Sequence, residues 1–162
     1  MNITATRIGT QARTWVLIAA LSALIVVVGG QFLGSNGYLF AAAIAVIFNA
    51  VLYWFSAPMA LRASKAQPAG DNEYPQLHEI VRDLAARAKV PVPKLYIIPS
   101  DQPNAFATGR NPSHSAVAVT QGLLRYLPTD EVRGVLAHEF AHIKNRDILV
   151  SSIAAGLGAI IT

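Results

Sequence analysis

The sequence of 162 residues contains no cysteine. That absence excludes disulfide bonds, thiol nucleophiles and zinc sites built on cysteine. Charge is also scarce, because only 14% of the residues are Asp, Glu, Lys or Arg, whereas an ordinary soluble domain has about 25%. No charged residue falls within residues 14–61, a run of 48 positions. A soluble domain of this size does not need such a run, and we therefore expect a membrane protein.

The distribution of the basic residues argues against nucleic-acid binding. The formal net charge is +4, from 13 basic and 9 acidic residues. Four of the basic residues flank the uncharged run, namely Arg7, Arg13, Arg62 and Lys65. The nine that remain balance the nine acidic residues, so no excess of positive charge is left for a nucleic acid. We expect no nucleic-acid partner.

The uncharged run divides into two apolar segments. As a helix, the first segment, residues 14–34, is about 31 Å long and crosses a hydrocarbon core of about 30 Å. Residues 35–37 form a polar break, and residues 38–55 form the second segment. Because the break is uncharged and both outer flanks are basic, the positive-inside rule places both ends of this helical hairpin in the cytoplasm. A cleaved signal peptide is the alternative for the first segment, but the second segment argues against it.

A globular region follows the hairpin. Apolar residues at three- and four-residue intervals predict a helix over residues 75–89, and further helices are predicted over residues 121–127 and from a capping Thr129. Short strands are predicted at residues 94–98, 105–108 and 116–120. Turn-forming residues between the last two strands predict a small hairpin.

These patterns predict an α+β membrane protein: a transmembrane helical hairpin, then a mainly helical domain with a small β-sheet, then the start of a third apolar helix. The parts are a cytoplasmic N-terminus (1–13), the hairpin (14–61), a linker (62–73), a cytoplasmic domain (74–147) and the third segment (148–162). The third segment is uncharged but too short to span a bilayer unaided. We therefore expect the chain to be a piece of a longer membrane protein.

Residues 138–142 read His-Glu-Phe-Ala-His, the HExxH pattern. On a helix, positions four apart differ by about 40° in direction, so His138 and His142 can share one zinc ion. Zinc lowers the pKa of water bound to it to about 7, and Glu139 is placed to accept a proton from that water. The motif predicts hydrolysis of a peptide bond. The alternative is a pair of ordinary histidines on a helix surface.

A catalytic zinc site needs a third protein ligand. Asp147 lies nine residues after His138, about 180° around the helix, so we expect it to orient an imidazole or to act as a charge at the helix end. His78 and His114 stay open as ligands, although surface or turn positions are more typical of such histidines. We expect the third ligand to lie beyond residue 162.

Several stretches together resemble the HtpX family of membrane-embedded zinc metalloproteases, which is related to the eukaryotic prenyl-protein CAAX endopeptidase. They are residues 104–109 (Asn-Ala-Phe-Ala-Thr-Gly), 116–120 (Ala-Val-Ala-Val-Thr) with Gly-Leu-Leu at 122–124, and 138–147. The resemblance extends into the hairpin, through Asn49 and residues 53–56. Residues 61–64 depart from it, since relatives often carry an aromatic residue there.

The resemblance implies one zinc ion per subunit, bound by His138 and His142, with catalysis by Glu139. It implies a multi-pass protein of the inner membrane whose protease domain faces the cytoplasm and degrades misfolded or damaged membrane proteins. Family members complete the zinc site with a glutamate on a later helix and have two further membrane segments. This sequence contains neither.

A protease must hold its substrate extended, and an exposed sheet edge does so through backbone hydrogen bonds. We therefore expect residues 104–108 or 116–119 to flank the zinc helix as a substrate edge. The candidate substrate-binding residues are Asn104, Ala105, Phe106, Ala107, Ala116, Val117 and Ala118. The alternative is that both strands only pack the core, above all at Phe106.

Two other functions fit parts of the sequence. An intramembrane metalloprotease also uses HExxH, but here charged residues flank the motif at 130–133 and 144–147 and belong near water. A catalytically inactive fragment or a non-enzymatic membrane adaptor is the alternative of another class. Zinc content and metal-dependent cleavage distinguish these functions.

Overall fold

The structure is a computed structural model, and it describes residues 16, 19–32 and 37–148. The chain divides into two compact units, Met1–Phe55 and Ser56–Thr162. The predicted N-terminal part, residues 1–13, lies outside the described residues. So does the predicted third apolar segment after Ile148.

Two apolar helices make up most of the described part of the first unit. Helix α1 is Ala19–Phe32. Helix α2 is Gly37–Ala63 and continues into the second unit. The side-chain amide of Asn49 on α2 donates a hydrogen bond to the hydroxyl of Ser22 on α1, with 2.8 Å between Nδ2 and Oγ. This bond joins the two helices within the unit.

The membrane-spanning capacity of these helices is limited. Among the described residues, no single helix is both long and apolar enough to cross a bilayer. Helix α2 is bent by 53° between Gly37–Val51 and Tyr53–Ala63. Only these two parts taken together have the length and the apolar character that a span needs. The predicted transmembrane hairpin is therefore not shown by the structure.

The second unit contains a four-stranded mixed sheet with the strand order β1-β2-β4-β3. Strands β2 and β4 are parallel, whereas β1 pairs with β2 and β3 pairs with β4 in antiparallel fashion. Strand β4 is therefore interior, and β3 and β1 form the two edges. The strands are β1 (Gln67–Pro68), β2 (Lys94–Ile98), β3 (Ala105–Gly109) and β4 (Ser115–Thr120).

The observed sheet agrees with most of the predictions made from the sequence and corrects two of them. The predicted β2, β3 and β4 and the hairpin between β3 and β4 are present. Strand β1 lies in the predicted linker, because a two-residue edge strand containing a proline carries no strand signal. The second correction concerns β4, which is bonded on both sides and so offers no edge to a substrate. The expectation that Ala116, Val117 and Ala118 bind substrate as an edge is therefore wrong.

Three helices follow the predicted pattern and surround one face of the sheet. They are α3 (Pro75–Ala88), α4 (Gln121–Tyr126) and α5 (Thr129–Asn145). Helix α5 packs against both α3 and β3. The shared core consists of Leu77, Ile80, Val81, Leu84, Leu95, Ile97, Val117, Val119, Val132, Leu136, Phe140 and Ile143, with further residues around it.

The start of α5 differs from the expectation that Thr129 caps it. The residue that precedes the first turn is Pro128, and no side chain caps the helix there. Instead, the carbonyl oxygen of Pro128 accepts a hydrogen bond from the backbone N–H of Glu131 at 3.0 Å. Helix α4 does have a side-chain cap, because the hydroxyl of Thr120 accepts from the N–H of Leu123. Asp130 and Glu131 lie in the first turn of α5, where the helix dipole favours acidic residues.

Candidate metal centre

Helix α5 positions the HExxH side chains by burying its opposite face. Its buried residues recur every three or four positions, at Val132, Leu136, Phe140 and Ile143. The three polar side chains of the motif lie outside this buried face: His138 is exposed, and Glu139 and His142 are half-buried. Because the apolar face fixes the rotation of the helix against the sheet, His138 and His142 point along one direction, whereas Glu139 is turned about 100° from His138 and reaches β3. The site therefore depends on the core for its orientation.

The two imidazoles of the motif converge. The Nε2 atoms of His138 and His142 lie 3.3 Å apart, and the ring planes are inclined at 88°. Two nitrogens that each lie about 2.0–2.1 Å from a tetrahedral zinc ion are about 3.3–3.4 Å apart. The spacing of the two Nε2 atoms therefore fits a shared zinc ion.

The end of α5 brings a carboxylate to one of these rings. The helix ends at Asn145, and Arg146 adopts a left-handed conformation with φ of 59°. The chain turns there, and Oδ1 of Asp147 lies 3.1 Å from Nδ1 of His142. When Nδ1–H donates to this carboxylate, Nε2 keeps its lone pair for a metal. This is the contact that the predicted orienting role of Asp147 requires.

The carboxylate of Glu139 is held by the sheet. The backbone N–H of Ala107 on β3 donates a hydrogen bond to Oε2 of Glu139 at 2.9 Å. Strand β3 lies at the edge of the sheet, so the side of Ala107 that does not face β4 is turned towards α5. The candidate base and the candidate substrate edge are therefore in direct contact.

The other candidate substrate residues occupy the same edge strand or adjoin it. Asn104 precedes β3, and its carbonyl accepts a hydrogen bond from the backbone N–H of Thr120 at 3.0 Å. Ala105 and Phe106 are half-buried in β3. The structure thus brings Ala107 into contact with α5 and places Ala105 and Phe106 in the same edge strand, whereas Asn104 is bonded to Thr120 at the end of β4.

The two remaining histidines do not join the site. Nδ1 of His78 lies 3.2 Å from Oδ1 of Asp71, and its Nε2 faces the carbonyl oxygen of Ala69. His114 lies on a short 3₁₀ turn, where its Nδ1 is 2.9 Å from Oδ1 of Asn111. Within residues 16, 19–32 and 37–148, no group of three or more His, Asp or Glu side chains is arranged to hold a metal ion. The described residues therefore supply two imidazole ligands and no third.

A family model described as peptidase family M48 matches residues 71–162, more than half of the sequence. That range contains the sheet from β2 onwards and the whole HExxH motif. The chain belongs to family M48. This is a family of metalloproteases, and membership confirms the resemblance found in the sequence.

Curated relatives in family M48 carry the name protease HtpX homolog. The one from Syntrophobacter fumaroxidans is 53% identical over 153 residues, which are 94% of this chain and 54% of that protein. The one from Pelotomaculum thermopropionicum is 51% identical over 150 residues, 93% of this chain and 53% of that protein. The chain spans about half the length of the curated relatives it matches.

The fold is also found in a solved structure. A crystal structure of Ste24p from S. mikatae aligns with a TM-score of 0.56 and 20% identity, covering 97% of this chain and 37% of that one. At this identity the likeness shows the fold, a helical M48 fold with a small mixed sheet.

Reasoning from the sequence missed the partner of Glu139. The motif identifies the carboxylate, but its partner is a backbone N–H, which every residue except proline has. Only the packing of β3 against α5 singles out Ala107. Small residues alternate along β3. They are the one signal in the sequence that the backbone of this strand lies close to another element.

Proposed function

We propose that this chain carries the catalytic helix of a membrane-anchored zinc endopeptidase. The observation that carries the proposal is the convergence of the His138 and His142 Nε2 atoms beside Glu139, whose carboxylate is bonded to an edge strand. Membership of family M48 supports the same activity. A third zinc ligand is required, and we expect it to come from outside the described residues.

The residues of the site have separate roles in the proposed reaction. When zinc is bound, it polarises the scissile carbonyl and makes water acidic enough to react at neutral pH. His138 and His142 hold the ion, and Asp147 keeps the ring of His142 oriented through Nδ1. Glu139 accepts a proton at its carboxylate and later returns it to the leaving amine.

The outer edge of β3 is the proposed substrate site. In an antiparallel pair, alternate residues direct their N–H and C=O groups away from the partner strand. The bonds between Asn104 and Thr120 turn the backbone of Ala105 and Ala107 outward from β4. Because the N–H of Ala107 already donates to Glu139, the groups left for a substrate are the N–H and C=O of Ala105 and the C=O of Ala107. A substrate added there as a further strand is bound through its backbone, so its side chains are weakly selected. Such selection suits unfolded or misfolded membrane proteins, the substrates that we propose.

The proposed membrane anchor rests on exposed apolar side chains. Large residues on α1 and α2 are exposed, among them Phe32, Leu39, Val46, Ile47 and Trp54. Soluble proteins rarely expose so many large apolar residues together. Since the uncharged run has basic residues at both ends, we propose that the catalytic domain lies on the cytoplasmic side of the inner membrane.

The test compares the full-length protein with its Glu139→Gln variant. Zinc content is measured by atomic absorption, and cleavage of casein is measured with and without a chelator. We expect both proteins to contain one zinc ion and only the parent to cleave. Glu131→Gln, an exposed change in the first turn of the same helix, is the matched control and keeps full activity.

Two outcomes contradict the proposal. Cleavage that survives Glu139→Gln means that another group is the base. A folded full-length protein that binds no zinc favours the non-enzymatic adaptor instead.

A further inference from the structure

A cavity in the Ser56–Thr162 unit has no role in the proposed hydrolysis. Its volume is about 460 Å³, within the range of about 300–1,000 Å³ typical of small-ligand sites. It lies between the last turns of α2 and the sheet face opposite the core, where Lys94 and Tyr96 project from β2. The turn before β4 closes another side with Ser113 and His114.

The polar lining of this cavity is positively charged. Arg62 and Lys94 contribute two cations, and the described part of the lining contains no Asp or Glu. Neither cation forms an ion pair with another described residue. This combination of Arg, Lys and hydroxyl groups suits a phosphate group.

The apolar part of the lining indicates where such a phosphate comes from. Pro58 and Leu61 of α2 line the cavity beside Arg62. Leu61 is also the last residue of the uncharged run, and Arg62 is the first charge after it. A ligand that fills this cavity therefore meets apolar and cationic groups together, as an anionic lipid does at a membrane surface.

We propose that this cavity binds the phosphodiester headgroup of an anionic membrane lipid. Arg62 holds the phosphate oxygens, Lys94 adds a second positive charge, and Tyr96 and Ser113 supply hydroxyl groups. Lipid binding in this cavity is separate from peptide hydrolysis and does not depend on it. It places the end of α2 at the lipid headgroups.

The experiment titrates the full chain in nonionic detergent with short-chain lipids by calorimetry. The probes are dihexanoyl phosphatidylglycerol, dihexanoyl phosphatidylcholine and inorganic phosphate. We expect phosphatidylglycerol to bind more tightly than the other two. Each basic residue near an anionic lipid contributes about five-fold in affinity, so Arg62→Gln with Lys94→Gln weakens phosphatidylglycerol binding about 30-fold.

Matched variants separate this site from general attraction between charges. Arg82→Gln with Lys89→Gln removes the same charge from two exposed positions outside the cavity and leaves binding within two-fold. Arg62→Lys with Lys94→Arg keeps both charges and keeps binding. An unchanged melting temperature of the Gln variant shows that its loss of binding is not loss of folding. Equal affinities for phosphatidylglycerol in the parent and the Gln variant overturn the proposal. Inorganic phosphate binding as tightly as the lipid overturns the lipid as its source.

Discussion

The backbone N–H of Ala107 donates a hydrogen bond to Oε2 of Glu139, 2.9 Å away. The bond joins the edge of the sheet to the helix that carries the HExxH motif. It fixes the carboxylate next to the strand where the proposed substrate lies. A substrate aligned on β3 is therefore aligned with the base as well.

Removing this N–H is expected to impair the reaction. Ala107→Pro deletes the donor without removing a bond of the sheet, because this N–H faces Glu139 and not β4. We expect kcat for casein cleavage by the full-length protein to fall about 10- to 100-fold, as when a partner that orients an active group is lost. Zinc content stays unchanged. Ala105→Pro removes an N–H from the same edge but not the partner of Glu139, so it raises KM with little effect on kcat. Wild-type kinetics in both variants exclude the proposed edge.

Asp147 is expected to control zinc affinity without binding zinc. Asp147→Asn weakens the acceptor of the His142 Nδ1–H bond, which lowers the basicity of the ring and frees its orientation. The expected loss of zinc affinity is about 10- to 100-fold, measured by competition with a chromophoric chelator. Asp130→Asn makes the same change in the exposed first turn of α5 and is the control. An unchanged affinity in the Asp147 variant means that the carboxylate serves only the helix end.

Two glycines give opposite predictions for stability. A Cβ on Gly122 would overlap the backbone carbonyl of Asp101, so Gly122→Ala forces the loop before β3 to move. We expect a loss of about 1–3 kcal/mol in the free energy of unfolding. Gly134 is exposed within α5 and has open space around its Cα, so Gly134→Ala adds about 0.5–1 kcal/mol through helix propensity. Denaturant unfolding of the two variants tests both signs, and a stabilised Gly122→Ala variant contradicts the close approach.

Asp83 is expected to link stability to acid pH. Hydrogen bonds from Arg87, on the same helix, and from Arg133, on α5, lower the pKa of Asp83 below its ordinary 3.8. A lowered pKa means that folding favours the carboxylate. The stabilisation is therefore complete above pH 3.8 and is lost as the pH falls from there through the lower pKa of the folded state.

The measurement compares melting temperatures of the parent and Asp83→Asn between pH 2 and pH 7. We expect the parent to melt higher near neutrality and the difference to shrink below about pH 4. In a background with Arg87→Gln and Arg133→Gln, the difference loses its pH dependence. A difference that grows as the pH falls has the wrong sign for this ion pair.

The fold was predictable where the local pattern is strong. The apolar spacing from Leu77 to Leu84 predicts α3, and short β-rich runs between prolines predict β2. Strand β1 escaped prediction because its two residues are held only by pairing with β2. The interior position of β4 was not predicted either, for a related reason. The order of strands depends on the parallel β2–β4 pairing between distant segments, and no local pattern encodes it.

The candidate site was predictable from residue types but not from contacts. The spacing of His138 and His142 predicts their convergence, since one helical turn separates them. The contact of Asp147 with His142 depends on where α5 ends, and the left-handed Arg146 carries no glycine signal to mark it. The cavity beside Arg62 is lined by three segments that are far apart in the sequence, so no sequence motif predicts it.

The left-handed turn at Arg146 makes the end of α5 part of the metal site. The residue that stops the helix is followed directly by the one that holds the ring of His142. In the proposed metalloprotease we expect zinc occupancy and fraying of this helix end to be linked equilibria, because an ion that holds the ring of His142 also favours the contact of that ring with Asp147. Removal of zinc is then expected to loosen the chain where it continues towards Ile148. The protease sensitivity and the amide hydrogen exchange of this junction would report on metal occupancy.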